Sequence, residues 1–210
     1  ISNEMPTVYA ALINHTTVAG SILSSSIDNL FVLPSCGNLS GARIELIEMF
    51  PRGEREFVLR KALEQVRHEY DFIFIDTAPS LDIITLNALT AAESVLIPMQ
   101  CEYFALEGLG AIYATIGQVK DSLNPALTLR GIALTMFNAS TRLSHEVVRE
   151  VREQCGTLVY ETVISRTVKF SEASSHGKAI TIYAPDSPGA LAYTNLTKEV
   201  IRYDDQPSAA

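Results

Sequence analysis

The sequence predicts an α/β fold with a doubly wound, mainly parallel sheet flanked by helices. Short apolar runs alternate with segments of helical periodicity along the 210 residues. This alternation is typical of a parallel sheet that helices cover on both faces. The apolar run at residues 72–75 has no polar interruption, as in a strand buried on both faces. A helical segment at 83–92 and a second apolar run at 94–98 follow it, which completes one strand-helix-strand unit.

The segments before this unit are predicted from periodicity and composition. In chain order they are a short helix at 4–13, a Ser/Thr-rich loop at 15–26, a short buried strand at 30–34, a helix at 39–50 and a helix at 55–69. The helix at 55–69 is amphipathic, because apolar side chains recur among charged ones. It leads directly into the run at 72–75.

The segments after the unit continue the alternation. They are a helix at 105–123, a strand at 129–137, a polar helix at 142–154, a strand at 159–164, a short apolar segment at 180–183 and a helix at 187–203. Asn124 and Pro125 end the first of these helices. Ser187 is the expected N-cap of the last helix, with Pro188 at its first position. We expect residues 1–203 to form a single domain, followed by a polar tail at 204–210.

Composition excludes several classes of protein. The chain is 47% apolar and 19% charged, as in an ordinary globular protein, and no apolar run is long enough to span a membrane. The three cysteines are far apart and the four histidines are scattered, so neither a zinc site nor a disulfide framework is indicated. The net charge of -8 argues against strong DNA binding by a monomer. The acidic excess lies in residues 1–116, so local basic patches remain possible in the second half.

Asp76 directly follows the run at 72–75 and is the first candidate for chemistry. Ligands of open α/β sheets bind at the carboxyl ends of the strands, where this carboxylate is expected. One interpretation is a loop or helix-capping aspartate, which is common after any strand. The other is a Walker B acid, which lies beside the Mg2+ of a bound nucleoside triphosphate.

The residues around Asp76 resemble those of the ParA/Soj-type chromosome and plasmid partitioning ATPases. That family carries hhhhD-x-x-P-S-L, then T-L-N-A-L-x-A-A-x-x-V-L-I-P, then Q-C-E-Y-x-A-L-E-G-L. The matching segments here are residues 75–81, 85–98 and 100–109. Thr77 and Ala78 stand where Cys and Pro are frequent, and Asp82 stands where Gly is frequent. The resemblance extends from about residue 7 to residue 200.

The resemblance implies an ATPase that binds ATP and Mg2+, with Asp76 at the metal directly or through water. It also implies an ATP-dependent homodimer that binds DNA non-specifically, and hydrolysis stimulated by a ParB-type centromere-binding protein. A cytoplasmic, nucleoid-associated location and no membrane attachment would follow. Residues 135–138 and 183–190 would flank the adenine, which makes Asn138, Pro185 and Asp186 the candidate nucleotide-binding residues.

The candidate DNA-binding residues are basic and lie in the second half of the chain. Residues 163–173 resemble the family's V-I-P-R-x-x-x-x-x-E-A segment, with Ser165 in place of a frequent Pro. By resemblance Arg166 contacts DNA from the outer face, and Lys169, Lys178 and Arg202 are further candidates. Phosphate contacts need only cations on one face, so such binding would not depend on base sequence. The alternative is a solvated loop whose cations face water.

A glycine-rich phosphate loop, GxxxxGK[ST], is absent from these 210 residues. Gly177 and Lys178 form the only Gly-Lys pair, and Ala179 follows it. We expect the loop to precede Ile1, so that the sequence holds the second half of a P-loop-type ATPase without its N-terminal phosphate-loop unit. Residues 1–210 alone would then bind ATP negligibly and tend to aggregate.

Two other functions remain open at this point. One is a MinD-like, membrane-attached regulator of cell division, although the acidic, polar end of the chain does not resemble the basic amphipathic helix of that relative. The other is a binding module without catalysis.

Overall fold

The computed structural model describes residues 7–13, 16–78, 80 and 82–204. It divides into two compact units. The first unit comprises residues 1–93 and 116–127, and the second comprises residues 94–115 and 128–210. The start of the helix expected at 4–13 and the tail from 205 onwards lie outside the described residues.

The second unit is built on a parallel sheet of three strands in the order β3-β4-β5. The strands are β3 (Ser94–Gln100), β4 (Thr128–Phe137) and β5 (Val159–Ser165). The helices after β3 and β4 are α5 (Ala105–Ser122) and α6 (Arg142–Cys155), and those after β5 are α7 (Val168–Ser175), α8 (Ile180–Tyr183) and α9 (Pro188–Asp204). Ile132 and Leu134, in the central strand, are fully buried. Because the strands are parallel, their carboxyl ends meet at one edge of the sheet.

Helix α9 is fixed against strand β5. The carboxylate of Glu199 accepts hydrogen bonds from the backbone N–H groups of Glu161 (2.7 Å) and Thr162 (3.0 Å). Leu196 and Val200 of the same helix pack into a cluster that includes Tyr160. These backbone and side-chain contacts anchor the closing helix at residues 196–200.

Glycine is required at position 131 of strand β4. A Cβ atom there would lie 2.7 Å from the ring of Tyr160, which is closer than any real contact. The absence of a side chain therefore lets the buried ring of β5 lie against the backbone of β4.

The first unit is mainly helical. Its helices are α1 (Val8–Leu12), α2 (Leu39–Met49), α3 (Val58–Leu63) and α4 (Ile83–Ala91), with 3-10 turns at Ala19–Ser21 and Arg67–Glu69 and a hairpin of β1 (Leu23–Ser24) and β2 (Phe31–Val32). Leu12, Leu46 and Leu59 belong to one buried cluster. The helices are held together by that cluster and by buried amides.

The side chain of Asn87 forms buried hydrogen bonds between helix α4 and the segment around α3. It is fully buried, accepts a hydrogen bond from the backbone N–H of Leu59 at 3.0 Å and donates to the carbonyl oxygen of Arg55 at 2.7 Å. The Leu59 N–H is one of the donors left without a partner in the first turn of a helix. The Asn in the T-L-N-A-L segment therefore has a structural role.

Three predictions of secondary structure were wrong. Residues 72–75 form no strand among the described residues, and Phe72, Ile73 and Phe74 are exposed by 47%, 42% and 78%. A strand is defined by its hydrogen-bonded neighbour, and no described segment pairs with this one. The strand expected at 30–34 is only the two residues of β2, and it is exposed rather than buried because it pairs with one short strand in a hairpin.

The helix expected at 55–69 is the third error. It is divided into α3 and the 3-10 turn Arg67–Glu69. Gly53 has a φ of +92°, which is not helical, and the chain becomes α-helical only at Val58. Val66 donates to the carbonyl of Leu63, a shorter-range bond that tightens the chain after α3.

Candidate functional site at the carboxyl edge of the sheet

A crevice of about 630 Å3 lies in the second unit, where strands β3, β4 and β5 end. The residues that line it follow these strands or belong to the starts of α5 and α6. They are Gln100, Cys101, Glu102, Tyr103, Phe104, Ala105, Met136, Asn138, Thr141, Leu143, Ser144 and Arg166. Ligands of open parallel sheets bind at this edge.

Asn138 lies at the end of β4, and its side chain is held by a turn. Its Oδ1 atom accepts hydrogen bonds from the backbone N–H (3.1 Å) and the hydroxyl (2.8 Å) of Ser140. Its amide nitrogen donates no hydrogen bond within the part of the chain that the structure describes. Two N–H donors of an oriented carboxamide are therefore free for a ligand.

The backbone before Asn138 is unusual. Met136 has a φ of +54°, in the left-handed region that non-glycine residues seldom adopt. The residue lines the crevice. Backbone held in such a conformation tends to occur at binding sites, where the surrounding structure maintains it.

Ser144 connects the elements that form the crevice. Its buried hydroxyl donates to the carbonyl oxygen of Cys101 at 3.2 Å and accepts a hydrogen bond from the hydroxyl of Thr141 at 3.0 Å. The backbone N–H of Asn138 also donates to the Ser144 Oγ atom, with a nitrogen-to-oxygen distance of 3.4 Å. One hydroxyl thus joins the ends of β3 and β4 to the start of α6. The sequence alone did not indicate this role.

Cys101 is a buried thiol in the lining of this crevice. Burial raises the pKa of its thiol to about 11, so the group stays protonated at neutral pH.

The rim of the crevice is aromatic and cationic. Tyr103 and Phe104 are 74% and 72% exposed, and their rings meet edge to face at 5.1 Å. The guanidinium-bearing residue Arg166 lines the same space, and its backbone N–H donates to the carbonyl of Phe137 at 2.8 Å. The structure therefore places Arg166 and Asn138 in the lining of one crevice. The sequence analysis had predicted that Arg166 binds DNA and that Asn138 binds the nucleotide.

Pro185 and Asp186 do not line this crevice. They form the exposed turn that precedes α9. The predicted N-cap beside them is confirmed, since the Ser187 hydroxyl accepts a hydrogen bond from the N–H of Ala190 at 3.2 Å and α9 begins at Pro188.

Asp76 belongs to the first unit and is exposed. It forms no ion pair or hydrogen bond with the residues that the structure describes. Pro79 and Leu81, from the matching segment, lie outside that set. The side chain of Asp82, unlike that of Asp76, is held by hydrogen bonds. Its Oδ1 atom accepts them from the N–H groups of Ile84 (2.9 Å) and Thr85 (3.2 Å). The aspartate that stands where Gly is frequent is the N-cap of helix α4.

The other basic candidates lie on three different segments of the second unit. Lys169 is paired with Glu172 at 2.9 Å on α7, and Lys178 lies exposed on the turn after that helix. Gly189, at the start of α9, lies against the ring of Phe170. Arg202 is exposed near the other end of α9, about 21 Å along the helix axis from Pro188 at 1.5 Å per residue.

Among residues 7–13, 16–78, 80 and 82–204, no group of three or more His, Cys, Asp and Glu side chains could hold a metal ion. No helix within those ranges is both long and apolar enough to cross a membrane.

Comparison with known proteins identifies what the chain is similar to. A family model described as an AAA domain matches residues 1–129. The sporulation initiation inhibitor protein Soj of Bacillus subtilis is 47% identical over 193 residues, which are 92% of this chain and 75% of that protein. The chromosome-partitioning ATPase Soj of Treponema pallidum is 44% identical over 200 residues, 95% of this chain and 78% of that protein.

Comparison with solved structures gives the same fold. The cobyrinic acid a,c-diamide synthase of Mycobacterium smegmatis, with bound ATP analog and magnesium, superposes with a TM-score of 0.79 at 29% identity. The match covers 97% of this chain and 75% of that chain. The predicted α/β fold with a parallel sheet flanked by helices is confirmed.

Proposed function

This chain belongs to the AAA-domain family and to the Soj/ParA chromosome-partitioning ATPases, and we propose that its protein uses ATP and Mg2+ to partition DNA. The observation that carries this proposal is the near-half identity with the Bacillus protein along almost the whole chain. The crevice at the carboxyl edge of the sheet supports it, because a nucleotide would bind at such an edge.

The residues of this chain are suited to the base and the metal rather than to the phosphates. The free amide donors of Asn138 would contact acceptor atoms of the adenine, and the turn of Pro185 and Asp186 would border it. Asp76 would hold the Mg2+, directly or through water. Mg2+ in nucleotide sites is bound by one or two carboxylates together with phosphate oxygens.

The reaction at this site would be the hydrolysis of the bound ATP. An exposed carboxylate with no described partner, such as Asp76, is free to orient a hydrated metal ion. The positive charge of that metal ion would then contribute to the electrostatic stabilisation of the phosphates. A phosphate loop of the GxxxxGK[ST] pattern is not among these residues.

DNA binding is the second part of the proposal. The protein would form a homodimer with ATP, bind duplex DNA without sequence preference through Arg166, Lys169, Lys178 and Arg202, and respond to a ParB-type centromere-binding partner. It would act in the cytoplasm at the nucleoid. Because the described cations are spread over the second unit, each contact is expected to be weak, and the dimer would double their number.

The test compares Asp76→Ala with Asp71→Ala in the full-length protein. Both residues are exposed acids at the two ends of the same apolar segment, so the substitutions change the net charge equally. At saturating Mg-ATP we expect Asp76→Ala to lower the rate of phosphate release about 100-fold or more, the scale of losing one electrostatic contact to the reacting charge. Asp71→Ala should retain the wild-type rate.

Wild-type turnover by Asp76→Ala would return this residue to a loop aspartate. A full-length protein that hydrolyses no ATP in the presence of DNA, or that sediments with lipid vesicles instead of DNA, would contradict the proposed function as a whole.

A further inference from the structure

Glu172 is a half-buried glutamate of helix α7 that accepts hydrogen bonds from two helices. Its Oε2 atom accepts a hydrogen bond from Lys169 Nζ at 2.9 Å, one turn earlier on the same helix. The same oxygen accepts a hydrogen bond from the hydroxyl of Tyr183, on helix α8, at 3.2 Å. Lys169 Nζ also lies 6.0 Å from the centre of the Tyr183 ring. The ammonium group is therefore held between a carboxylate and an aromatic face.

The other exposed ion pairs of the second unit lack such an anchor. Arg142 pairs with Glu146 at 2.7 Å and Arg149 with Glu153 at 3.8 Å, each within helix α6. Among the described residues, neither glutamate accepts a hydrogen bond from another element. Isolated pairs of this kind exchange readily with solvent and contribute little. Glu172 differs because Tyr183 fixes it from outside its own helix.

Both members of the pair are charged at neutral pH. The hydrogen bond from Lys169 lowers the pKa of the Glu172 carboxyl, and the same contact raises the pKa of Lys169. A phosphate that approached Lys169 would meet a full negative charge less than 3 Å from the ammonium nitrogen. The local charge that DNA meets at this point is thus close to zero, although a lysine is present.

We propose that Glu172 is a positioning residue that withholds Lys169 from DNA and so limits the affinity of the α7–α8 surface for duplex phosphates. The inference rests on the proposed function, since it concerns the strength of the non-specific DNA binding proposed above. Of the four cations proposed above to contact DNA, Lys169 is then the weakest contact in the wild-type protein.

The test is Glu172→Gln in the full-length protein with ATP, measured by binding to a duplex of arbitrary sequence over a series of salt concentrations. The glutamine keeps an oxygen that can accept the Tyr183 hydroxyl, and thermal melting would verify that the fold is retained. Glu153→Gln is the matched control, because it removes the same charge from another exposed ion pair of the second unit. We expect Glu172→Gln to bind about twofold to fivefold more tightly per protomer, the scale of one exposed charge pair.

The salt dependence separates a new contact from a general change in net charge. One released lysine should steepen the slope of log K against log salt by about 0.9 per protomer, while Glu153→Gln should leave it unchanged. Lys169→Gln alone should alter binding by less than twofold. In the Glu172→Gln background, the same substitution should return both the affinity and the slope to the wild-type values.

Each result bears on the inference. Equal affinities and slopes for Glu172→Gln and Glu153→Gln would overturn it while leaving DNA binding intact. A gain that persists in the double variant would also overturn it, because Lys169 would not be its source. A wild-type protein with no salt-dependent duplex binding would overturn the proposed function and this inference together.

Discussion

Two apolar segments of this chain have nearly the same sequence character and different structures. Residues 72–75 and residues 95–99 of strand β3 are both short apolar runs that a polar residue follows, Asp76 in one case and Gln100 in the other. Strand β3 pairs with β4 over seven residues, and Ile97 and Met99 within it are buried. Residues 72–75 pair with no described segment, and Phe74 is 78% exposed. An apolar run thus indicates a capacity for burial, whereas a neighbouring strand is needed for that burial to occur.

The difference extends to the candidate site residues. Asn138 and Arg166 follow paired strands, and the hydrogen bonds of Ser144 and Phe137 fix the backbone around them. Asp76 follows the unpaired run and has no such support among the described residues. Residues at the ends of a paired sheet are positioned by the sheet itself. A residue after an unpaired run depends on whatever the run packs against.

The largest expected effect tests the comparison by stability. Ile132→Ala in β4 removes a fully buried side chain and should lower the free energy of unfolding by about 2–5 kcal/mol. Phe74→Ala removes an exposed side chain and should change it by less than about 0.5 kcal/mol. Urea unfolding of this chain, followed by circular dichroism, measures both.

Equal costs for the two substitutions would break the comparison. The segment at 72–75 would then be buried in solution, packed against another part of the protein.

Much of the fold could be predicted because periodicity reports which side of an element is buried. Helices α2, α4, α5, α6 and α9 and strands β3, β4 and β5 begin and end within three residues of their predicted bounds. Pairing is different, since it depends on residues distant in sequence. Nothing within residues 72–75 shows that they have no neighbour, and nothing in residues 30–34 shows that they form an exposed hairpin.

The site was predicted less completely for the same reason. Asn138 was identified by resemblance to the partitioning ATPases, at the end of a predicted strand, but its approach to Arg166 and Ser144 depends on the order of β4 and β5 in the sheet. Asp82 could have been recognised as an N-cap, because an aspartate directly before an apolar helical segment is a helix-start signal. The contact of Glu172 with Tyr183 joins two helices and has no signal in the sequence.

The second prediction concerns the end of a paired strand. Arg166→Ala in the full-length dimer should remove two phosphate contacts, so that the slope of log K against log salt becomes smaller by about two units. Binding should weaken alike for all duplex sequences, because such contacts carry no sequence information. Lys198→Ala removes another exposed cation, on α9, and should leave the slope unchanged.

The position of Arg166 in the crevice sharpens this experiment. The affinity for a fluorescent ATP analog, measured on the same variant, should stay within about threefold of the wild type if Arg166 contacts only DNA. A large loss of nucleotide affinity with an unchanged salt slope would assign Arg166 to the ligand of the crevice, together with Asn138.

The smallest expected effect is a loss of stability on substitution of Asp82. This residue is the N-cap of helix α4, the first helix after the unpaired run at 72–75. Burial alone would raise the pKa of its carboxyl, but hydrogen bonds from Thr85, Ser80 and Ile84 and the charge of Arg43 hold the pKa below its ordinary value. Asp82→Ala removes this cap and should lower the free energy of unfolding by about 1 kcal/mol at pH 7. Asp82→Asn keeps an oxygen that can cap the helix but does not titrate, so it serves as the control.

The dependence on pH follows from the direction of that shift. A carboxyl whose pKa is lower in the folded state than in the unfolded state stabilises the fold above the unfolded value of about 3.9. This stabilisation is lost as the pH falls through the lower folded-state pKa. The difference in stability between wild type and Asp82→Ala should therefore shrink as the pH falls below about 4, whereas the difference between Asp82→Asn and Asp82→Ala should stay constant. Urea unfolding of the three proteins between pH 7 and the acid limit of folding measures both differences. A wild-type advantage over Asp82→Ala that does not change with pH would show that the carboxylate charge has no part in capping helix α4.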